Sequence, residues 1–269
     1  MKKGKLLILL FTVTFTFACK EAKKSEKELD ASPQYGENIS EPPKAMDEIK
    51  IIPIEHATVI LEWGDITIYV DPTGGATAFE EQKKPDLILI TDIHGDHLNL
   101  ETLEALDTSK AKIIVPQAVS DEIPEEFKTK LDIINNGDSV EHNDILVEAI
   151  PMYNLREEAK DFHVKGRGNG YVLTKGAQRI YFSGDTEDIP EMRSLKNIDK
   201  AFVCMNLPYT MTVENAASAV LEFKPKEVYP YHYRGRPDVS NVAKFKKLVN
   251  EGNKDIEVVQ LDWYPNEDY

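Results

Sequence analysis

The segment Leu87-Ile88-Leu89-Ile90-Thr91-Asp92-Ile93-His94-Gly95-Asp96-His97 passes directly from an apolar run to a cluster of metal-capable side chains. Residues 87–91 have the composition of a strand buried on both faces. Asp92, His94, Asp96 and His97 then follow at a strand-to-helix turn. Imidazole and carboxylate donors suit Zn, Mn or Fe, and this stretch contains no thiolate. Gly95 is expected to let the backbone fold tightly enough for donors on both sides to converge. A solvated polar turn is the plain alternative, but it has no need of two imidazoles beside two carboxylates.

Working outward, residues 51–54, 58–61 and 66–70 alternate around a Trp63-Gly64-Asp65 turn, as in an antiparallel meander, and Asp71-Pro72 ends it. Downstream, helical patterns fall at 98–106, 125–130, 213–223 and 242–249. Strand patterns fall at 113–115, 145–150, 170–174, 179–183, 201–204, 228–229 and 256–260. This order predicts an α/β protein in which two mixed sheets pack together with helices outside.

The chain has 269 residues, and its 47 Asp and Glu against 32 Lys and Arg give a formal net charge of −15. Such a surface repels phosphate backbones at long range, which argues against nucleic acid as a partner. Lys2, Lys3 and Lys5 precede an apolar run over residues 6–17 ending in Thr16-Phe17-Ala18-Cys19. A positive start, a short apolar stretch and a small residue before the cleavage point read as a signal peptide over residues 1–18. The run is too short to span a hydrocarbon core of about 30 Å. Residues 20–47 are rich in charge, Ser, Pro and Glu and predict a disordered tether. The folded domain is expected over 48–269. Cys204, in an apolar strand, reads as a buried structural thiol.

Two resemblances add to this reading. Cys19 directly after Ala18 resembles a bacterial lipobox, departing from it at Thr16 where an aliphatic residue is usual. It implies a lipidated Cys19 and an exported protein, anchored on the periplasmic or outer face of a bacterial cell membrane. Ordinary secretion is the alternative. The second resemblance starts from Asp92 to His97, which is similar to the His-x-His-x-Asp-His motif of metallo-β-lactamase-fold hydrolases. Asp92 stands where the first His usually stands. Tyr181-Phe182-Ser183-Gly184-Asp185-Thr186 resembles that family's Gly-Asp-Thr, and Tyr229-Pro230-Tyr231-His232-Tyr233 its late strand-end His. The opening meander, with Glu55-His56-Ala57, and residues 162–171 are similar to the branch containing L-ascorbate-6-phosphate lactonase.

The resemblance implies a four-layer αββα sandwich and two divalent metal ions, Zn or Mn with Fe possible in kind. Asp92, His94 and a mid-chain residue would hold one ion. Asp96, His97 and His232 would hold the other, with Asp185 between them. His163 is the available mid-chain imidazole, and Asn154 is a neutral alternative. The implied activity is hydrolysis of a small ester or lactone by a hydroxide activated between the metals. Asp96, Asp185 and His56 are the expected catalytic groups. Lys165, Arg167, Arg234 and Arg236 flank these ligands and, with Tyr209, are expected to meet an anionic small-molecule substrate. A phosphodiesterase of the same fold and a non-catalytic binding lipoprotein with a degenerate site are the competing readings.

Overall fold

The structure is a computed structural model that describes residues 47–265. The expected signal peptide, Cys19 and nearly all of the tether lie outside the described residues. Among the described residues, no helix is long and apolar enough to cross a membrane.

The chain builds two mixed sheets. In the first, β1 (Ile49–Glu55), β2 (Thr58–Trp63) and β3 (Ile66–Val70) form the antiparallel meander. From β3 onward β4 (Leu87–Leu89), β5 (Lys112–Val115) and β6 (Leu131–Ile133) add in parallel, with α1 (Leu100–Ala105) and α2 (Gln117–Glu122) between them. In the second sheet, β7 (Ser139–His142), β8 (Ile145–Met152), β9 (Gly168–Lys175) and β10 (Gln178–Phe182) are antiparallel neighbours. Then β11 (Lys200–Val203), β12 (Glu227–Pro230) and β13 (Glu257–Val258) continue it in parallel. The short helix α3 (Pro190–Arg193) and the longer α4 (Val213–Phe223) and α5 (Val242–Gly252) supply the crossovers.

Period-two alternation sorts the side chains into layers. Val59, Leu61, Val70 and Leu89 of the first sheet are fully buried in one cluster with Val147, Tyr171 and Tyr181 of the second. Ile60, Tyr69, Ile88 and Ile113, the alternate residues, pack instead with Leu103 of α1 and Val119 of α2. Val220 and Phe223 of α4 and Phe245 of α5 join the core against the second sheet. Burial of each such side chain stabilises the fold by about 1.5–3 kcal/mol. The result is the αββα sandwich expected from the order of elements.

The turn after β4 differs from the sequence pattern in two respects. Residues 94–98 form a turn closed by His97 N and Leu98 N donating to His94 O at 2.9 and 2.8 Å. The Asn99 side chain accepts from Thr102 N, so α1 starts at Leu100 rather than at 98. Gly95 does not have the role expected of it: its φ lies outside the left-handed range, and an added Cβ would meet nothing within 4 Å.

The parallel strands end on one edge of the sandwich, the edge where ligands collect in α/β folds. Asp71 follows β3, Asp92 to His97 follow β4, Asp185 follows β10, Asn206 follows β11 and His232 follows β12. His56, from the β1–β2 turn, comes to the same edge, where its O accepts from His232 N at 3.1 Å. His56, Asp71 and His232 all have left-handed backbones, with φ of 55, 45 and 45°. Non-glycine residues held this way are uncommon and gather at functional sites.

Candidate metal centre

His97 is completely buried, and its Nδ1 lies 2.8 Å from Asp71 Oδ2. Asp71 also accepts from Thr91 N and Thr91 Oγ1, both at 2.7 Å. Burial alone pushes the Asp71 carboxyl up, opposed by His97 and by the Thr91 hydrogen bonds. With Asp71 as acceptor, Nδ1 of His97 carries a proton and Nε2 faces the site, the usual carboxylate–histidine support of a metal ligand.

Around Nε2 of His97 stand His232 Nε2 at 3.1 Å, Asp185 Oδ2 at 3.5 Å and Asp96 Oδ1 at 4.0 Å. His56 completes this side. Its Nε2 is 3.3 Å from Asp96 Oδ2, and its Nδ1 is 2.8 Å from the Tyr264 hydroxyl. On the other side, His94 Nδ1 is 2.8 Å from Asp92 Oδ2, and His163 Nε2 is 3.2 Å from Asp185 Oδ2. Asp185 Oδ1 in turn lies 3.2 Å from His232 Nε2, so a single buried carboxylate faces both donor groups.

The charges agree with this geometry. Burial would raise the Asp185 carboxyl, but His232, His97 and His163 hold it well below the carboxylate range. Asp96 is likewise held low against burial by hydrogen bonds from His232 and His56. Burial lowers the His97 imidazole, yet Asp185 and Asp71 outweigh it and raise the group well above its usual value. His56 is lowered to about 4, first by burial and then by His232, so it is neutral at pH 7 and keeps a lone pair to offer.

A divalent cation fits these donors. Among the described residues, three groups each have their donor atoms within 4.8 Å of one another: His97, Asp185 and His232; His56, Asp96 and His232, which shares His232 with the first; and Asp92, His94 and His163. Asp185 Oδ1 is buried without a hydrogen-bond partner. The Nε2 atoms of His97 and His232 stand 3.1 Å apart at the site, where a bound cation would take the place of the proton between them. Asp71→Ala leaves His97 free to turn, and metal affinity should fall about 10- to 100-fold. Chelator competition with the purified variant checks this.

Each residue singled out in the sequence can now be located. Asp92, His94, Asp96, His97, His163, Asp185 and His232 meet at the centre, and His56 stands beside it. Asn154 does not. Its side-chain amide donates to Ala159 O at 2.8 Å and Tyr209 O at 2.6 Å, which ties two loops together. Lys165, expected to meet substrate, pairs with Glu191 at 2.7 Å and lies over the Tyr153 ring. Arg167, expected to do the same, has its guanidinium paired with Asp92. His163, Lys165 and Arg167 are near neighbours in sequence; His163 and Arg167 both reach the Asp92 and His94 side of the centre, whereas Lys165 turns to Glu191. Cys204 is buried, and burial, with Asp185 nearby, pushes its thiol up to about 12, as expected of a structural cysteine.

Sequence reasoning missed Asp71, which it read only as a strand stop, and Tyr264. A buried acid at the end of an apolar strand on the site edge was the available signal for Asp71; Tyr264 had none. The centre floors a cleft of about 380 Å³, whose walls include Phe162, Tyr209, Arg234 and Arg236. The Phe162 and Tyr209 rings meet edge-on at 5.2 Å. Arg234 lies over the Tyr264 ring at 5.0 Å and 3.8 Å from Glu55.

Two mixed sheets with a histidine and aspartate centre at their carboxyl edge define a metal-dependent hydrolase of the metallo-β-lactamase fold. The chain belongs to the β-lactamase superfamily, whose domain model ("Beta-lactamase superfamily domain") matches residues 50–232. A UPF0173 metal-dependent hydrolase of Pyrococcus abyssi is 31% identical over 216 residues, 77% of this chain and 94% of that one. Its counterpart in Archaeoglobus fulgidus is 31% identical over 233 residues, covering 82% and 98%. Among solved structures, a candidate metal-dependent hydrolase of Parabacteroides distasonis is 37% identical with a TM-score of 0.71, over 80% of this chain and 93% of that one. Igni18, a metallo hydrolase of Ignicoccus hospitalis, shares the fold at 21% identity, with a TM-score of 0.68 over 80% and 95%.

Proposed function

We propose that this hydrolase holds two divalent ions, Zn, Mn or Fe, and cleaves a small ester or lactone that carries an anionic group. The observation that carries this reading is a cleft with metal donors on its floor and two arginines, Arg234 and Arg236, on its wall, in a chain of net charge −15. Bound ions would supply Lewis acidity toward a carbonyl oxygen and a lowered pKa for coordinated water. The chain's own residues divide the remaining work. Asp185 faces both donor groups and fixes their spacing. His56, neutral at pH 7 and 3.3 Å from Asp96, can hold and relay a proton at Nε2. Arg236, exposed at the mouth, would orient the substrate anion. Phe162 and Tyr209 would shelter the reacting bond from water. Similarity of the opening meander to the ascorbate-phosphate lactonase branch supports a lactone. The leader pattern, with Cys19 after Ala18, supports export and lipid anchoring ahead of a tether and a domain from residue 48.

The test is a matched panel: a carboxylate-bearing lactone, a neutral lactone and bis-p-nitrophenyl phosphate. The anionic lactone should be preferred, and Arg236→Gln should lower its kcat/KM about 10- to 100-fold, the worth of a hydrogen bond to a charged group. The neutral lactone should change less than about 3-fold. Preference for the phosphodiester, or an equal loss on both lactones, would overturn the substrate assignment.

A further inference from the structure

Asp92 is the one position at which the chain leaves the His-x-His-x-Asp-His pattern, and its surroundings answer the change. Its carboxylate is 0% exposed. Arg167 grips it fork to fork, Nε donating to Oδ1 at 3.0 Å and Nη2 to Oδ2 at 2.8 Å. The guanidinium is itself anchored, since Nη2 also donates to Phe162 O at 2.6 Å. Asp92 Oδ2 still lies 2.8 Å from His94 Nδ1, within the group that includes His163.

From this geometry we propose that Asp92 and Arg167 act as one charge-neutral unit in place of the neutral imidazole usual at this position. A lone carboxylate here would add an uncompensated buried anion beside Asp185, at a high desolvation cost. Arg167 cancels that charge, is always protonated, and matches the carboxylate plane in two parallel bonds. The unit therefore presents one oxygen donor with no net charge. The proposal rests on the reading that the centre holds metal, and it makes the His94 and His163 side depend on residue 167 as much as on residue 92.

Its consequence is a sign change between variants. Asp92→His with Arg167 retained restores the usual ligand but leaves an unpaired cation beside the ion. Arg167→Gln with Asp92 retained leaves a bare anion, which destabilises the metal-free chain and tightens the weaker metal site. The double variant D92H/R167Q is neutral again.

The experiment is Co²⁺ titration of the full chain against a competing chelator for wild type, D92H, R167Q and D92H/R167Q, with the thermal midpoint of each metal-free protein. The expected result is at least a 10-fold weaker second Co²⁺ in D92H and recovery to within about 3-fold of wild type in the double variant. R167Q should show a lower metal-free midpoint and a larger upward shift on adding Co²⁺. A double variant that binds the second Co²⁺ no better than D92H would overturn the unit while leaving the metal reading standing. A wild-type chain that takes up no Co²⁺ would overturn both.

Discussion

Asp185→Asn should cost at least about 100-fold in hydrolysis and strip metal from both donor groups, although the side chain keeps its size. Asp185 is 3% exposed and stands within 3.2–3.5 Å of nitrogens from His97, His163 and His232. Those contacts hold its carboxyl well below the usual range in spite of burial, so the site is built around a negative charge at this position. An amide removes that charge, and one of its two ends must present an N–H where an oxygen faced the imidazoles. Support lost one shell out already costs about 10- to 100-fold, so a group facing both donor sets should exceed it. Metal content and turnover of the purified variant, with a thermal midpoint as a check on folding, measure this. A variant that keeps its metal and its turnover would show that the two donor groups stand independently.

The second large effect lies in the backbone. Gly184→Ala should destabilise the chain by about 2–4 kcal/mol, combining a left-handed alanine with overpacking. Gly184 has φ +59, and an added Cβ would sit 2.6 Å from Met152 Sδ, 3.2 Å from Asn169 O and 3.3 Å from Thr91 Cβ. Its N–H accepts no alternative placement either, being donated to the Tyr231 hydroxyl at 3.1 Å. The neighbouring contacts join β8, β9 and the segment after β4 that leads into the donor cluster, so any relief must shift the metal donors. A fall in the thermal midpoint of roughly 5–15 °C is expected for a domain of this size. Gly95→Ala is the internal comparison: with open space around its Cβ, it should move the midpoint little. Equal shifts for the two alanines would refute this account of the turn.

The pair of glycines also shows what the sequence disclosed and what it hid. The donor cluster from Asp92 to His97 was legible because chemistry-bearing side chains are concentrated after an apolar strand, and strand order followed from alternation. His163 was legible as a remaining imbalance: the expected imidazole was missing near Asn154 and an imidazole stood nine residues on. Gly95 was over-read, because a glycine inside a motif suggests backbone freedom that only φ and neighbours decide. The pairing of Lys165 with Glu191 and of Arg167 with Asp92 was hidden for a related reason, since nearness in sequence says nothing about side-chain direction in a turn. Asp71 and Tyr264 act through His97 and His56, contacts that span 26 and 208 positions and exist only once the sheets pack. The grip of Arg167 on Asp92 spans 75 positions and was hidden in the same way.

The proposed hydrolysis by this chain requires that this edge of the sandwich hold two ions. The most direct measurement is metal content by inductively coupled plasma mass spectrometry on the full chain, purified without chelator and without added metal. Two equivalents of Zn, Mn or Fe per chain, falling below one in Asp185→Asn, are the expected result. One equivalent or none, unchanged by Asp185→Asn and not raised by reconstitution, would contradict it.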